Sequence, residues 1–145
     1  MKKLFIILTA LVFVASAALA GQKDYGSVEV KEVTSIYDGD TFRVNIKDYP
    51  ALIGERIAIR VGGIDTPEMR GKCIQEKELA RKAKQLTVGL LREATKIELR
   101  HMKRGKYFRI VADVYIDGKN LADSLFEAGL GVRYEGKTKN KDWCK

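Results

Sequence analysis

The first half of the chain alternates apolar and polar residues with the period of a β-strand. Residues 27–46, SVEVKEVTSIYDGDTFRVNI, predict two strands that are joined by a turn at the DG pair. Residues 47–55 predict a loop, and the stretch RIAIRV at 56–61 predicts a third strand. Its three apolar side chains share one face, so Arg60 lies on the opposite face.

Residues 75–94 change to the period of an α-helix. Charged residues, Glu76 among them, fall mostly outside the apolar face, which is the pattern of a helix packed on a core. The apolar stripe consists of Leu79, Ala83, Leu86 and Leu90.

The rest of the chain returns to strands. Residues 96–100 predict a short strand that is followed by a basic loop, HMKRGK. Residues 107–116 predict another strand, with Phe108 on its apolar face and Arg109 on the other. Residues 120–128 predict a short helix that ends at the following glycine.

This order of elements indicates an α+β domain that is mainly β. Strands, one helix, more strands and a second helix fit a small five-stranded barrel with helices packed on it. A parallel βαβ arrangement fits the order less well, because the first three predicted strands follow one another without intervening helices.

The chain opens with the pattern of a secretory signal. Two lysines precede an apolar stretch that ends in Ala18-Leu19-Ala20, which predicts a signal over residues 1–20 and one mature domain over 21–145. An uncleaved membrane anchor is the alternative, but the stretch is a little short for a spanning helix. We expect a secreted or periplasmic monomer that has no stable membrane association after cleavage.

The charge of the chain favours an anionic partner. The formal net charge is +8, and removal of the two lysines in the signal leaves +6. A basic domain suits nucleic acid, an acidic polymer or a lipid surface, and the charge alone does not choose among them.

The chain contains two cysteines, Cys73 and Cys144, and a single histidine, His101. An oxidising compartment predicts a disulfide between the cysteines. A metal pair is the weaker alternative, because this spacing matches no common zinc pattern. With a single histidine, the chain cannot cleave phosphodiester bonds by a mechanism that needs two catalytic histidines.

Two motifs in the chain imitate known binding loops. The stretch GVRYEGKT at 131–138 has the letters of a phosphate-binding loop, but a predicted helix precedes it and no long helix follows. The stretch YDGDT at 37–41 is not a helix–loop–helix calcium loop, because Phe and Arg follow where that motif requires Asp or Asn and then Gly. Taken alone, DGD is usually a hairpin turn, and Thr66-Pro67-Glu68 resembles the start of a helix.

Taken together, polar residues at the predicted strand ends point to phosphodiester chemistry. Asp40 and Asp65 each follow or flank a turn, and oxygen ligands of this kind suit calcium. Arg60 and Arg109 lie on strand faces from which guanidinium groups could bind a phosphate. Glu68 adds a carboxylate that could act as a base. A cation, an arginine pair and a base are what phosphodiester hydrolysis needs.

These residues belong to an ordered set of motifs that resembles the staphylococcal nuclease, or thermonuclease, family. The similarity runs from about Val30 to Tyr134. The motifs are DGDT at 38–41, R-x4-DTPE at 60–68, KYFR at 106–109 and DGK at 117–119.

The resemblance implies an OB-fold barrel and a calcium-dependent nuclease that acts on DNA and RNA and leaves 3′-phosphate ends. Asp40 and Asp65 match the calcium carboxylates of the family, and Thr66 matches a residue that contributes its backbone carbonyl.

The resemblance also implies roles for the polar residues around the cation. Glu68 matches the general base or the residue that orients the attacking water. Arg60 and Arg109 match the arginines that bind the phosphate and stabilise the transition state. Lys106 and Tyr107 match residues that hold a terminal phosphate.

Some positions depart from the family pattern or match it loosely. Tyr134 lies where members often place an aromatic residue near the base. Phe108 replaces the usual glycine. The alternation of the predicted strand 107–116 places Phe108 toward the core, so Arg109 would keep the opposite direction that the family arginine has. The loop after Glu68 is shorter than usual, and we expect Trp143 and the disulfide to hold the tail.

Two other classes of function fit part of the sequence. A non-catalytic OB-fold module could bind single-stranded nucleic acid, since fold alone does not give function. A structural protein of the cell envelope would explain the signal and the disulfide. Neither explains the complete set of two aspartates, a glutamate and two arginines, so the sequence favours an enzyme.

Overall fold

The computed structural model describes residues 22–145, so the predicted signal over residues 1–20 lies outside the described residues. In this part of the chain, no helix combines the length and the apolar character that a membrane crossing requires.

Residues 22–145 form eight strands and three helices. The strands are β1 (Val28–Ile36), β2 (Thr41–Ile46), β3 (Ile57–Val61), β4 (Ile64–Asp65), β5 (Ile97–Arg104), β6 (Arg109–Ile116), β7 (Lys119–Asn120) and β8 (Val132–Arg133). The helices are α1 (Ala51–Gly54), α2 (Ile74–Glu93) and α3 (Leu121–Glu127).

Five of the strands close into a barrel. The order is β3-β2-β1-β5-β6 with antiparallel neighbours, and a parallel pairing between β3 and β6 joins the two edges. The short β7 pairs with β6, and β4 pairs with β8 in a separate two-stranded ribbon. The predicted five-stranded barrel of the OB type is confirmed.

The interior of the barrel is filled by the apolar face that strand alternation predicts. Val44, Ile59, Leu99 and Val114 are fully buried. Apolar residues of α2 and α3 belong to the same core cluster, so both helices pack on the barrel. Burying one such side chain contributes about 1.5–3 kcal/mol to folding.

Two segments predicted as loops contain regular structure. The helix α1 lies within the predicted loop 47–55, and β5 continues through most of the stretch predicted as a basic loop. Strand β5 contains a bulge between Arg100 and Lys103, where His101 has a φ of 51°. Beyond the bulge the strand pairs with β6 again, so it extends further than the alternation predicts. The bulge breaks the alternation on which the sequence prediction rested, and it buries Met102.

Helix α2 confirms the predicted helix within one residue at each end, but its buried face is rotated from the predicted one. The predicted leucines lie partly buried at the edges, because small side chains allow the helix to approach the barrel closely. The buried positions are Glu76, Ala80, Ala83, Thr87 and Leu91.

The expectation that Phe108 faces the core is wrong. Its side chain is 71% exposed, and the strand begins at Arg109 rather than at Tyr107. Both Tyr107 and Phe108 have positive φ values, 56° and 53°, so the alternation of a strand does not extend to them. From Ile110 onward the predicted face is correct, and Arg109 keeps the opposite direction.

The predicted disulfide is present between Cys73 and Cys144, whose Cα atoms are 6.0 Å apart. Since both sulfurs are used in this bond, they are not available as a metal pair. Trp143 is buried beside the bridge, so the tail is held against the domain as expected.

The hydroxyl of Thr87 donates a buried hydrogen bond of 2.7 Å to the carbonyl of Gly39. We expect Thr87→Val to lower the free energy of unfolding by about 1–3 kcal/mol, because the carbonyl loses its donor while the shape of the side chain is kept. Urea denaturation monitored by circular dichroism measures this change. Thr95→Val, at an exposed position, is the matched control; equal stability of the two variants would contradict the prediction.

Candidate active site

The turn between β1 and β2 is packed tightly against α2. Asp38 Oδ1 accepts a 3.1 Å hydrogen bond from the amide of Asp40, and Thr87 holds the carbonyl of Gly39. A Cβ atom at Gly39 would approach the Cβ of Ala83 to 2.8 Å. A glycine is therefore required in this turn, and the packing fixes the direction of Asp40.

Asp40 is 3% exposed, and both of its carboxylate oxygens are engaged. Its Oδ2 accepts hydrogen bonds from the amide and the hydroxyl of Thr66, at 3.1 and 2.8 Å. Its Oδ1 accepts a 3.0 Å hydrogen bond from the hydroxyl of Thr41 and is paired with Arg60. Asp40 thus connects the start of β2 to the segment that follows β4.

Arg60 lies between the two predicted metal-binding aspartates. Its Nη1 is paired with Asp40, and its Nη2 lies 3.6 Å from Asp65 Oδ1. The same Nη2 donates a 3.1 Å hydrogen bond to the carbonyl of Ile64. Burial lowers the pKa of Arg60, while the nearby charges of Asp38 and Asp65 oppose that change. An arginine so placed stays protonated at neutral pH.

Asp38 is a third buried carboxyl group beside Arg60. Burial raises the pKa of Asp38 to about 6; the charge of Arg60 lowers it and that of Glu68 raises it. The sequence pattern predicts Asp38 only as a turn residue. Its pKa shift depends on the close packing of the turn, which no sequence pattern reports.

Glu68 is half exposed and lies at the edge of this cluster. Lys139 pairs with its Oε1 and also lies 2.7 Å from Asp65 Oδ1. Burial lowers the pKa of Lys139, but the interactions with Asp65 and Glu68 outweigh burial and leave it raised. No sequence pattern predicts the role of Lys139, because it is one of several lysines in a tail without periodicity.

The buried carboxylate of Glu76 holds the loop that carries Glu68. It accepts hydrogen bonds from the amides of Glu68 and Lys72, at 3.3 and 2.8 Å. Cys73 caps α2 by accepting from the amide of Glu76 at 3.3 Å. The arrangement resembles a capping box, and it was missed because cysteine is not a usual cap residue. Glu76 is therefore a positioning residue for Glu68.

Arg109 lies near the cluster, and Lys106 and Tyr107 belong to the turn that precedes it in the chain. The charge of Arg109 is close enough to Arg60 to contribute to lowering its pKa. Arg109 Nε is buried and has no hydrogen-bond partner within residues 22–145. Lys106 and Tyr107 are exposed in the turn before β6.

Tyr134 lines a cavity of about 480 Å³ together with Asp65 and Lys139. Its hydroxyl donates a 2.6 Å hydrogen bond to the carbonyl of Lys137, and its amide donates to the carbonyl of Gly63. The structure thus joins Asp40, Arg60, Asp65, Thr66 and Glu68 in one cluster, and Tyr134 lines a cavity together with Asp65, whereas Lys106 and Tyr107 lie outside these contacts.

The oxygen donors near Arg60 suit a hard cation such as calcium. Asp65 Oδ1 is buried, and the cationic groups of Lys139 and Arg60 lie 2.7 and 3.6 Å from it, so this oxygen already attracts positive charge. Two carboxylates, Asp40 and Asp65, would be joined by the backbone of Thr66 and by water. In the described part of the chain, three His, Cys, Asp or Glu side chains close enough to share an ion occur only at Cys73, Glu76 and Cys144, where the disulfide uses both sulfurs.

Comparison with known proteins finds a family and several relatives. The model of the family described as staphylococcal nuclease homologue matches residues 58–144, from β3 to the tail. Endonuclease YncB of Bacillus subtilis is 31% identical over 115 residues, which cover 72% of this chain and 49% of the relative.

Two further relatives are also named as endonucleases. The SPbeta prophage-derived endonuclease YokF of Bacillus subtilis is 32% identical over 118 residues, covering 74% of this chain and 36% of the relative. The probable endonuclease LCL3 of Phaeosphaeria nodorum is 28% identical over 99 residues, covering 64% and 33%. This chain spans between a third and a half of the length of these relatives.

The position of Glu76 predicts a local effect of its removal. We expect Glu76→Ala to accelerate hydrogen exchange at the amides of Glu68 and Lys72 by about tenfold or more, because both lose their acceptor. Exchange measured by NMR tests this, with Glu78→Ala on the exposed face of α2 as the control. Unchanged exchange at these two amides would contradict the positioning role.

Proposed function

The chain belongs to the staphylococcal nuclease homologue family, and we propose that it is a calcium-dependent nuclease that hydrolyses phosphodiester bonds of DNA and RNA. The observation that carries this proposal is the convergence of Asp40, Arg60, Asp65 and Glu68 at one end of the barrel. Three of the four lie within the residues that the family model matches.

The arginines would bind the scissile phosphate. Arg109 forms no ion pair among the described residues, so its guanidinium can meet negative charge. The Nη groups of Arg60 are engaged by Asp40, Asp65 and the carbonyl of Ile64, so Arg60 would bind the phosphate in exchange for these partners when calcium takes the two carboxylates. When bound by Asp40, Asp65 and the carbonyl of Thr66, calcium supplies further positive charge against the phosphate.

Glu68 would accept a proton from the water that attacks phosphorus. The new bond joins that water oxygen to phosphorus, and the bond from phosphorus to the 5′ oxygen breaks. The released 5′ oxygen takes up a proton, so the products are a 3′-phosphate and a 5′-hydroxyl. Glu68 is suited to this step because it is half exposed while its loop is held by Glu76.

We also propose that the enzyme acts outside the cytoplasm. The signal-like pattern over residues 1–20 supports export, and the disulfide between Cys73 and Cys144 is typical of oxidising compartments.

Removal of the proposed base or of the proposed phosphate ligand tests the mechanism. We expect Glu68→Gln and Arg109→Ala each to lower kcat for plasmid cleavage by about 10²–10³-fold, the usual cost of one preorganised group. Arg92→Ala, an exposed arginine at the end of α2, is the matched control. Arg60→Ala is less informative, because it leaves Asp40 buried without its cation.

The same assay separates the proposed nuclease from a binding module. Calcium-dependent cleavage that a chelator stops, and that Glu68→Gln loses, supports the proposal. DNA that is retarded on the gel but uncut under every condition would instead indicate a non-catalytic module.

Lys139 predicts a measurable effect on calcium affinity. Its ammonium group lies where it neutralises Asp65 and Glu68, so it competes with a cation for the same negative charge. We expect Lys139→Gln to tighten calcium binding by about tenfold, which corresponds to about 1.4 kcal/mol. Isothermal titration calorimetry measures it, with Lys137→Gln as the control; equal affinities of the two variants would contradict the competition.

A further inference from the structure

Three segments that are distant in sequence form an exposed apolar surface on the barrel. They surround a cavity of about 350 Å³, which is lined by Tyr25, Tyr49, Ile53 and Phe108 among others. Leu52, the neighbour of Ile53 in α1, is 87% exposed. We call these five residues the apolar patch.

The apolar patch lies away from the carboxylate cluster. In the register of the barrel, Ala58 near the start of β3 pairs with Arg109, the first residue of β6. The cavity and Phe108 therefore belong to the start of these two strands. Arg60, which is paired with Asp40, lies further along β3. A partner bound at the patch would leave the carboxylates accessible.

The exposure of Leu52 follows from a fixed backbone conformation. The amide of Gly54 donates a 2.8 Å hydrogen bond to the carbonyl of Pro50, which closes the single turn of α1. The turn thus presents an aliphatic side chain to water at a defined position. Apolar groups gathered on a surface in this way commonly mark a site that contacts a partner or a membrane.

Cations outnumber acids around the apolar patch. Lys103 and Arg104 line the cavity, and none of the described residues that line it is acidic. The segments that contribute the patch are residues 22–26, 47–57 and 103–109, which together carry seven lysines and arginines and three acidic residues. The surface therefore favours an anionic partner.

The apolar groups of the patch favour a lipid surface over nucleic acid. Bases stack on aromatic rings, whereas the aliphatic side chains of Leu52 and Ile53 offer no flat face for stacking. Leucine and phenylalanine bordered by lysine and arginine are typical of proteins that bind at the surface of an anionic bilayer. Tyr25 and Tyr49 suit the level of the headgroups, because each combines an apolar ring with a polar hydroxyl.

The link to the predicted signal also lies beside the apolar patch. The side chain of Gln22 donates a 2.6 Å hydrogen bond to the carbonyl of Arg104, and the amide of Tyr25 donates to the carbonyl of Met102 at 2.8 Å. Residues 4–20 contain no charged residue and end shortly before Gln22. A signal inserted in a bilayer would therefore hold this side of the domain close to the membrane surface.

We propose that the apolar patch docks reversibly on an anionic lipid bilayer. Leu52 and Phe108 would contact the acyl region, and Lys103 and Arg104 would face the headgroups. Such contact is weaker than a membrane anchor, because it combines a small apolar area with a few cations. It therefore agrees with a domain that has no stable membrane association after cleavage of the signal. The proposal does not depend on the nuclease activity.

Co-sedimentation with vesicles tests the proposal. Residues 21–145, which contain the whole barrel, its core and the disulfide, are used so that the predicted signal cannot insert. Vesicles of phosphatidylcholine with about a quarter phosphatidylglycerol are compared with vesicles of phosphatidylcholine alone. We expect the anionic vesicles to bind about tenfold more tightly, and this difference to shrink when salt is raised from about 0.1 M to about 1 M.

Two variants test the apolar contribution. Leu52→Ala and Phe108→Gly should each weaken binding to the anionic vesicles by about fivefold, because less apolar surface enters the bilayer. Glycine is chosen at Phe108 because it adopts the positive φ of this residue without strain. Ile74→Ala is the matched control for Leu52→Ala, since Ile74 is an aliphatic helix residue outside the patch and is 76% exposed.

A third variant tests the charged contribution. Lys103→Gln should weaken binding to the anionic vesicles by about fivefold and leave binding to the neutral vesicles unchanged. Lys82→Gln, at an exposed position of α2, is the matched control. Arg109 is kept in all variants, because it is the proposed phosphate ligand.

Three results would overturn the proposal. The protein could remain in solution with both kinds of vesicle, or the patch variants could bind vesicles as tightly as their controls. The variants are also titrated with a fluorescein-labelled oligothymidine in chelator. Weaker binding of this probe with unchanged binding of vesicles would assign the patch to nucleic acid.

Cleavage of plasmid DNA in solution is measured on the same preparations. Leu52→Ala should cleave at the rate of the wild type, since Leu52 lies away from the carboxylate cluster. Docking on vesicles by a protein that does not cleave DNA would support the patch and reject the proposed nuclease, and cleavage without docking would do the reverse.

Discussion

The ion pair between Arg60 and Asp40 is the interaction on which the candidate site depends. A buried carboxylate next to a largely buried guanidinium is tolerated only when the two groups are paired and hydrogen-bonded. Asp40 meets this requirement through Thr41, Thr66 and Arg60, which lie on separate segments of the chain. The ion pair therefore joins the first barrel hairpin, the end of β3 and the segment after β4 in one arrangement.

The barrel makes this arrangement possible because it closes through a parallel pairing. Strands β3 and β6 lie side by side, although about 50 residues separate them, and Arg60 is paired in register with Val111. Arg109, two residues earlier on β6, consequently projects from the same outer face as Arg60. Helix α2 completes the arrangement from the other side, by supporting the turn before Asp40 through Thr87 and the loop of Glu68 through Glu76.

The sequence was informative where a pattern extends over many residues. The alternation of apolar and polar residues predicted the barrel strands. The DGDT and DTPE motifs, with their spacing, identified the residues that the structure places around Arg60. Glu76 and Lys139 escaped prediction because their roles depend on tertiary neighbours; a buried glutamate on a helix has the same local pattern as an exposed one. The error at Phe108 has a similar origin, since two left-handed residues end the strand without any sequence signal.

The disulfide between Cys73 and Cys144 limits how far Lys139 can move. Cys144 is the fifth residue after Lys139, and an extended chain spans at most about 3.6 Å per residue. Even when its ion pairs break, the Cα atom of Lys139 stays within about 18 Å of the Cα atom of Cys144. The lysine is thus an intramolecular ligand on a short tether, for which effective concentrations in the millimolar range are usual. Because Lys139 is part of the same molecule, its effective concentration at Asp65 and Glu68 does not depend on the protein concentration. The concentration of a free cation, by contrast, is set by the solution around the protein.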